Sequence, residues 1–313
     1  MDNADYAKLE ARFGRERLSQ RLLKQARKEA KLLHQGEGFF RIERFLPLDR
    51  MVDFCLRVSA LGVLCHRNFL AVRVVEREWF LPRLPRAFDR FRLLQLSDLH
   101  LDLDPALTPV IQRLVLGTPH DAAVVTGDFR DQTDGDYGPC LREMEQITGL
   151  LAPQRWGILG NHDAIEMVPA LEAGGLPVLL NEVASVRIGG DVLWIGGIDD
   201  PHFYKTHDLE RVRGGIPCDA CSILLSHSPE TYDQTARLGF DLQLSGHTHG
   251  GQLCLPGGIP IVVPCKVEKK FILGRWVHGS LQGYTSPGTG SCGVAARLNC
   301  PPEITLHILR SAD

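Results

Sequence analysis

The chain has 313 residues, of which 44% are hydrophobic and 23% are charged, and its formal net charge is −3. This composition is typical of a soluble globular enzyme; it excludes a disordered or fibrous protein and gives no reason to expect a nucleic-acid partner. Nine cysteines without a framework pattern indicate a reducing compartment rather than a disulfide-stapled secreted protein.

The N-terminal region predicts an amphipathic helix from Tyr6 to about Leu33, because leucines and alanines recur there at helical spacing without a proline. Lysines and arginines give this helix a basic face. Two interpretations of that face remain open: the helix packs on its own chain, or residues 6–33 contact an anionic membrane surface. No secretory signal is present, so we expect a cytoplasmic protein, with association at the cytoplasmic face of a membrane as an open alternative.

A second apolar helix is predicted from Leu48 to about Val63, and two prolines predict a linker over Trp79–Asp89. We therefore divide the chain into a basic, helical N-terminal extension with its linker, residues 1–85, and a second domain, residues 86–313. In the second domain, helical segments alternate with short apolar runs, which we predict as buried strands: Arg92–Leu96, Ala122–Thr126, Trp156–Leu159, Val192–Ile195, Ile223–Leu225 and Leu242–Leu244. This alternation predicts an α/β sandwich.

Five of the predicted strands end in side chains of the kind that bind metals. They run into SDLH with Asp98 and His100, TGDFRD with Asp128, LGNHDA with Asn161, His162 and Asp163, LLSHSPE with His227, and LSGHTHGGQ with His247 and His249. Functional groups in open α/β folds collect beyond the carboxyl ends of the strands. We therefore expect the five strand ends to form one site.

The chemistry of these side chains predicts a centre with two metal ions. Carboxylates, imidazoles and an amide oxygen suit divalent Mn, Fe or Zn and argue against a structural zinc held by thiolates. The candidate ligands are too numerous for one tetrahedral ion, whereas two ions that share a carboxylate would use them all. Two metals about 3.5 to 4 Å apart are suited to in-line displacement at phosphorus.

The order DxH, GD, GNH followed by an acid, a lone H and GHxH resembles the calcineurin-like metallophosphoesterases over about Phe91 to Arg310. The segments GHTHGGQ and ILLSHSPE are similar to the bacterial YkuE-type phosphodiesterases, a broad branch that includes the UDP-2,3-diacylglucosamine pyrophosphatases. The resemblance implies a four-layer αββα sandwich with two divalent metal ions as cofactors.

The resemblance also implies a role for each motif residue. Asp98, His100 and His249 would hold one metal, Asn161, His227 and His247 would hold the other, and Asp128 would bridge them. A hydroxide between the ions would attack phosphorus. His162 would protonate the leaving oxygen or stabilise the transition state, and Asp163 would hold the His162 ring in position.

One motif departs from the common form. The family often has apolar residues between the two acids of the GD motif, whereas Asp128 is followed here by Phe129, Arg130 and Asp131. The ligand is retained. Arg130 has two interpretations, a contact to substrate phosphate or a surface ion pair.

The sequence thus predicts a dinuclear phosphoesterase that hydrolyses a phosphodiester or pyrophosphate bond. The basic helix favours a lipid-linked or nucleotide-sugar-lipid substrate at a membrane surface. The alternative is a non-catalytic scaffold of the same fold that binds a protein partner, but such a scaffold would be expected to lose ligands that are all retained here. The sequence does not decide whether one further loop lines the site, the loop that contains Asp199, Asp200, His202 and His207.

Overall fold

The computed structural model describes residues 2–34 and 61–311. Its first helices are α1 (Asn3–Phe13), α2 (Arg15–His34) and α3 (Leu61–Leu70). The single helix predicted over Tyr6–Leu33 is therefore two helices, because Gly14 between them has φ 87°, a left-handed conformation that glycine adopts readily. The second predicted helix, Leu48 to Val63, lies outside the described residues except for its last three, which begin α3.

Two β-sheets follow the N-terminal helices. In spatial order, the first sheet contains β1 (Arg73–Leu81), β13 (Glu303–Ser311), β2 (Phe91–Leu96), β3 (Ala122–Val125) and β4 (Gln154–Gly157). The second contains β11 (Gly274–His278), β12 (Leu281–Thr285), β8 (Leu242–Ser245), β7 (Ser222–Leu225), β6 (Asp191–Gly197) and β5 (Glu182–Ile188). A separate hairpin is formed by β9 (Cys254–Leu255) and β10 (Ile259–Pro260). All six predicted strands are confirmed, with boundaries shifted by at most two residues.

The sheets pack face to face, and helices cover both outer faces. Buried side chains of the two sheets, such as Leu93, Val124, Ile195 and Ile223, form one core between them. The outer face of the first sheet packs against α1–α3, α4 (Leu107–Leu116), α5 (Gly138–Thr148) and α6 (Val168–Ala173). The outer face of the second sheet packs against α7 (Leu209–Gly214) and α8 (Tyr232–Arg237). The predicted four-layer αββα sandwich with a helical N-terminal segment is confirmed.

The linker predicted over Trp79–Asp89 is wrong at its beginning. Residues 79–81 are the end of β1, which pairs in parallel with β13 along its whole length. Trp79 is buried between the sheets, and the two prolines follow only after the strand has ended. β1 is an edge strand with four charged side chains among its nine residues, and they interrupt the apolar run by which the buried strands were predicted. The division near residue 85 otherwise stays a prediction.

The N-terminal helices are packed on the sandwich through both apolar and basic side chains. Leu9, Phe13 and Leu18 are buried in the core outside the first sheet. Arg12 bonds to the carboxylates of Glu172 and Glu182 at 2.9 and 2.8 Å. The basic side chains thus bind acidic groups of the same chain, which favours the first interpretation of the basic face. Within the described part of the chain, no helix is long and apolar enough to cross a membrane.

A buried histidine between the sheets predicts acid-sensitive stability. His307 accepts a hydrogen bond at Nδ1 from the indole N–H of Trp79, at 2.9 Å, and its Nε2 lies 2.9 Å from Oε1 of Gln95. Burial lowers the pKa of His307 to about 3. As the pH falls below about 6.5, the unfolded chain takes up a proton at this residue while the folded chain does not. The free energy of unfolding should therefore fall by about 2 kcal/mol between pH 7 and pH 5 through this group.

The substitution His307→Gln tests this, because a glutamine offers one acceptor and one donor but does not titrate. Urea unfolding at pH 7 and pH 5 measures the loss of stability for each protein. We expect the parent protein to lose about 2 kcal/mol more than the variant over this interval, whatever the variant's stability at pH 7. Equal losses would show that His307 does not carry the effect.

Candidate metal centre

The predicted ligands meet at the carboxyl ends of β2, β3, β4, β7 and β8. Asp98, His100 and His249 form one group, and Asp128, His227 and His247 form a second; within each group the ligand atoms lie within 4.8 Å of one another. Asn161 joins the second group, since its Oδ1 is 3.1 Å from Nε2 of His227. The structure therefore brings together all seven residues that were predicted as metal ligands.

Asp128 lies between the two groups. Its Oδ2 is 3.2 Å from Nε2 of His227 in the second group and 3.8 Å from Nε2 of His100 in the first. Its Oδ1 accepts a hydrogen bond from the backbone N–H of His162 at 2.9 Å. This is the position that a carboxylate shared by two ions requires.

Five of these residues have a strained backbone. Asp98, His100, Asp128, His247 and His249 have φ of 51°, 45°, 54°, 69° and 50°. For residues other than glycine, such conformations cost about 1 to 3 kcal/mol each and persist where the surrounding structure imposes them, commonly at functional sites.

The electrostatics of the site fit divalent cations. Burial holds the pKa values of His247 and His249 well below their usual range, so both rings are neutral and keep a lone pair for a metal. Nε2 of His247 is buried without a hydrogen-bond partner in the described residues.

The negative charge of the site raises the pKa values of two further histidines. Burial opposes protonation of His100 and His227, yet the carboxylates of Asp131 and Asp128 raise their pKa values to about 9 and about 10. Nε2 of His100 is also only 3.2 Å from Nε2 of His249. A cation between these rings would take the place of the protons.

Hydrogen-bond partners on the second ring nitrogen orient two of the imidazoles. The carboxylate of Asp131 is 3.3 Å from Nδ1 of His100, and Nδ1 of His227 is 2.8 Å from the carbonyl oxygen of Thr126. Ring contacts of this kind fix which nitrogen faces a metal. The buried Arg297 instead holds the backbone of His249, since it donates to the carbonyl oxygen of that residue at 3.0 Å.

His162 also lies at the centre, but the role predicted for Asp163 is wrong. Nδ1 of His162 is 2.5 Å from the carbonyl oxygen of Asp131, which orients the ring. The carboxylate of Asp163 instead accepts hydrogen bonds from the backbone N–H groups of Asp128, Phe129 and Gly160 at 2.8 to 2.9 Å. The strained turn at Asp128 points these N–H groups inward, and Asp163 satisfies them. Asp163 thus positions the Asp128 loop rather than the His162 ring.

The surface ion pair considered for Arg130 is wrong, and the phosphate contact stays a prediction. Its side chain is buried, and its guanidinium donates to the carbonyl oxygens of His162 and Thr133 at 2.9 and 3.0 Å. Arg130 therefore connects the loops that follow β3 and β4.

The loop left open by the sequence contributes His202 to the surroundings of the site. The His202 ring centroid is 4.3 Å from that of His247, and its Nδ1 is 2.8 Å from Oε2 of Glu230. Asp199 pairs with Arg21, and Asp200 accepts backbone hydrogen bonds within its own loop.

Sequence reasoning gave no role to three residues that the fold brings to the centre: Asp131, Cys292 and Arg297. His100, Asp131, His162 and Cys292 form a further group of ligand-capable side chains that shares His100 with the first. Asp131 is the second acid of the GD motif, and this position in the motif could have indicated that it belongs to the site. Cys292 and Arg297 come from the C-terminal segment, where no strand-end pattern marks them.

A glycine makes room for the shared carboxylate. A Cβ at Gly160 would lie 2.1 Å from Oδ1 and 2.7 Å from the backbone nitrogen of Asp128. We expect Gly160→Ala to displace Asp128 and to reduce both bound metal and turnover by at least about tenfold, the scale of losses when a ligand's support is removed. Metal content after dialysis, measured by mass spectrometry, checks this.

Gly149→Ala is the matched control, since φ there is −61° and the nearest atom to its Cβ is 3.8 Å away. Metal content in Gly160→Ala equal to that of the control would mean that Asp128 is not held by this contact.

Comparison with known proteins agrees with the family resemblance of the sequence motifs. A family model described as calcineurin-like phosphoesterase matches residues 91–251, the range that holds the seven ligands. The uncharacterized metallophosphoesterase YkuE of Bacillus subtilis is 31% identical over 245 residues, covering 74% of this chain and 82% of that protein. Phosphodiesterase YaeI of Escherichia coli is 26% identical over 276 residues, covering 80% of this chain and 96% of that protein. A transmembrane protein with metallophosphoesterase domain from Danio rerio is 29% identical over 262 residues, covering 77% and 58%.

Proposed function

Because the chain belongs to the calcineurin-like phosphoesterase family, whose members hydrolyse phosphoester bonds, we propose that it cleaves a phosphodiester or pyrophosphate bond with two divalent metal ions. The observation that carries the proposal is the pair of ligand groups with Asp128 between them. Two ions bound there would acidify a water as nucleophile and neutralise charge on the phosphoryl oxygens. The nitrogen and oxygen donors suit Mn, Fe or Zn.

In this proposal His162 supplies the proton for the leaving oxygen. A carbonyl oxygen can only accept, so the contact with Asp131 keeps a proton on Nδ1 of His162. Nε2 can then pass a proton to the departing group when the ring carries a second proton there. Burial lowers the pKa of His162 and disfavours this imidazolium, while the carboxylates of Asp128 and Asp131 favour it. Asp163 acts at a distance, by holding the loop on which Asp128 lies.

The cavity beside the ligands has an apolar wall that supports an amphiphilic substrate. The cavity has a volume of about 400 Å³ and is lined by Asp128, His162 and His247 on one side and by Ile261 and Val262 on the other, together with Leu253, Pro264 and Val294. Ile261 and Val262 are 60% and 56% exposed. An alkyl or acyl group linked to the phosphate would cover this wall and remove it from water.

We therefore place a lipid-linked substrate in this cavity, presented at the cytoplasmic face of a membrane. Residues 6–33 are less suited to peripheral membrane contact than the sequence indicated, because Arg12 and Arg21 bind acidic groups of the sandwich. The exposed apolar side chains of the β9–β10 hairpin, including Leu255 and Ile259, support a contact there instead.

Turnover of a set of phosphoesters tests the proposal. We expect Mn²⁺-loaded protein to hydrolyse bis(p-nitrophenyl) phosphate and a UDP-linked lipid, and a chelator to stop both reactions. Absence of metal-dependent turnover on phosphomonoesters, cyclic and linear phosphodiesters and pyrophosphates would favour the non-catalytic scaffold.

A double substitution, Ile261→Ser with Val262→Ser, tests the lipid part. We expect KM for the lipid substrate to rise by about thirtyfold, since each of the two side chains contributes about 1 kcal/mol when covered, while KM for the small ester stays unchanged. Val277→Ser, at a side chain 61% exposed on β11, is the matched control. Equal effects on both substrates would contradict a lipid-binding wall.

A further inference from the structure

Three basic side chains on one face of α2 reach the loops around the metal centre. Arg21 donates to Oδ1 of Asp199 at 2.5 Å and to the carbonyl oxygen of Asp163 at 3.0 Å. Lys24 donates to the carbonyl oxygen of Tyr204, and Lys28 donates to that of Asn161 at 2.9 Å. Residues three, four and seven positions apart share a helix face, so this face of α2 lies over the site.

Lys28 differs from Arg21 in having no acid partner among the residues that the structure describes. Arg21 is fully buried and forms an ion pair with Asp199. The Nζ of Lys28 contacts the Asn161 carbonyl and lies 4.7 Å from the centre of the Phe203 ring, and among the described residues no carboxylate oxygen is within 4.0 Å of it. An ammonium group has three N–H donors, and the carbonyl oxygen uses one of them. Two donors of this half-buried cation therefore remain for a ligand.

The position of Lys28 relates it to the reaction. Its hydrogen-bond partner, Asn161, is a candidate ligand, and His162 follows in the chain. Lys28 is thus a cation at the metal centre that the metal-binding motifs do not contain.

We propose that Lys28 binds a second phosphate group of the substrate, adjacent to the phosphorus that is attacked. The inference rests on the proposed function and narrows it from a phosphodiester or a pyrophosphate to the pyrophosphate class. Two divalent ions held by Asp98, Asp128 and a hydroxide would keep one positive charge, which the single negative charge of a phosphodiester balances. A pyrophosphate diester carries one negative charge more, and an additional cation would bind it. The N-terminal helix then supplies a specificity-determining residue.

Binding of two non-hydrolysable anions to Mn²⁺-loaded protein tests the proposal by calorimetry. Methylenebisphosphonate has two linked phosphorus groups, and inorganic phosphate has one. We expect Lys28→Met to weaken bisphosphonate binding by about tenfold to a hundredfold, the usual scale for a hydrogen bond between charged groups, and to change phosphate binding much less. Lys28→Arg should restore most of the bisphosphonate affinity because it keeps the charge.

Lys24→Met is the matched control, since Lys24 also donates to a backbone carbonyl from the same face of α2. If Lys28 only fastens the helix, Lys28→Met and Lys24→Met will lower the melting temperature by similar amounts. Lys28→Met will then weaken the binding of bisphosphonate and of phosphate equally, and this result would overturn the inference. Unchanged bisphosphonate binding in Lys28→Met would also overturn it. Turnover of bis(p-nitrophenyl) phosphate by the parent protein tests the proposed function separately, so the two failures are distinguishable.

Discussion

Replacing Asp128 with Ala is expected to abolish metal-dependent hydrolysis of bis(p-nitrophenyl) phosphate, with a loss of more than about a thousandfold in kcat/KM. The carboxylate of Asp128 lies between the two ligand groups, at 3.2 Å from His227 and 3.8 Å from His100. Its removal leaves each group with fewer ligands and takes away the charge that two cations would share. Initial rates over a range of Mn²⁺ concentrations measure the effect.

Two further variants make the Asp128 result interpretable. Asp128→Asn keeps the oxygen that accepts the His162 N–H but removes the charge, so it separates support of the loop from metal binding. Asp191→Ala removes an exposed acid at the start of β6 and should leave turnover unchanged. Turnover that survives in Asp128→Ala would defeat the assignment of this residue as the shared ligand.

Replacing His162 with Ala is expected to slow turnover by about 10² to 10⁴, the usual scale for acid–base assistance, while metal content stays near two ions per chain. The ring is oriented by the carbonyl oxygen of Asp131, and its Nε2 is 3.7 Å from the thiol of Cys292. Neither contact includes Asp128, so the shared carboxylate should stay in place. Elemental analysis together with steady-state kinetics on the same sample measures both quantities.

The alternative for His162 is a direct role in metal binding, since it also belongs to the group with His100, Asp131 and Cys292. Loss of an ion along with turnover would show that His162 is a ligand rather than a proton donor. His278→Ala is a suitable control, because that ring pairs with Asp233 away from the metal centre.

The ligand set could be predicted because its signals are local in the sequence. Each apolar run that becomes a buried strand is followed directly by the side chains that the strand delivers to the edge of its sheet. Two of these strand ends carry a pair of ligands two residues apart: Asp98 with His100, and His247 with His249. The same apolar runs gave six strands and, with the family resemblance, the order of the layers.

The roles of the supporting residues could not be predicted, because they depend on contacts between distant segments. Asp163 follows a histidine in the chain, yet its carboxylate receives N–H groups from residues 34 and 35 positions earlier. Arg21 looks like part of a solvated basic face, but it is buried against Asp199, 178 positions away. An amphipathic pattern shows that a helix has a basic face and does not show what that face meets.

The central claim is that two metal ions share Asp128, and the most direct measurement is anomalous X-ray scattering at the manganese edge from crystals of the Mn²⁺-loaded protein. We expect two anomalous peaks about 3.5 to 4 Å apart, with Asp128 between them and one ligand group around each. A single peak, or two peaks that do not share Asp128, would contradict the claim.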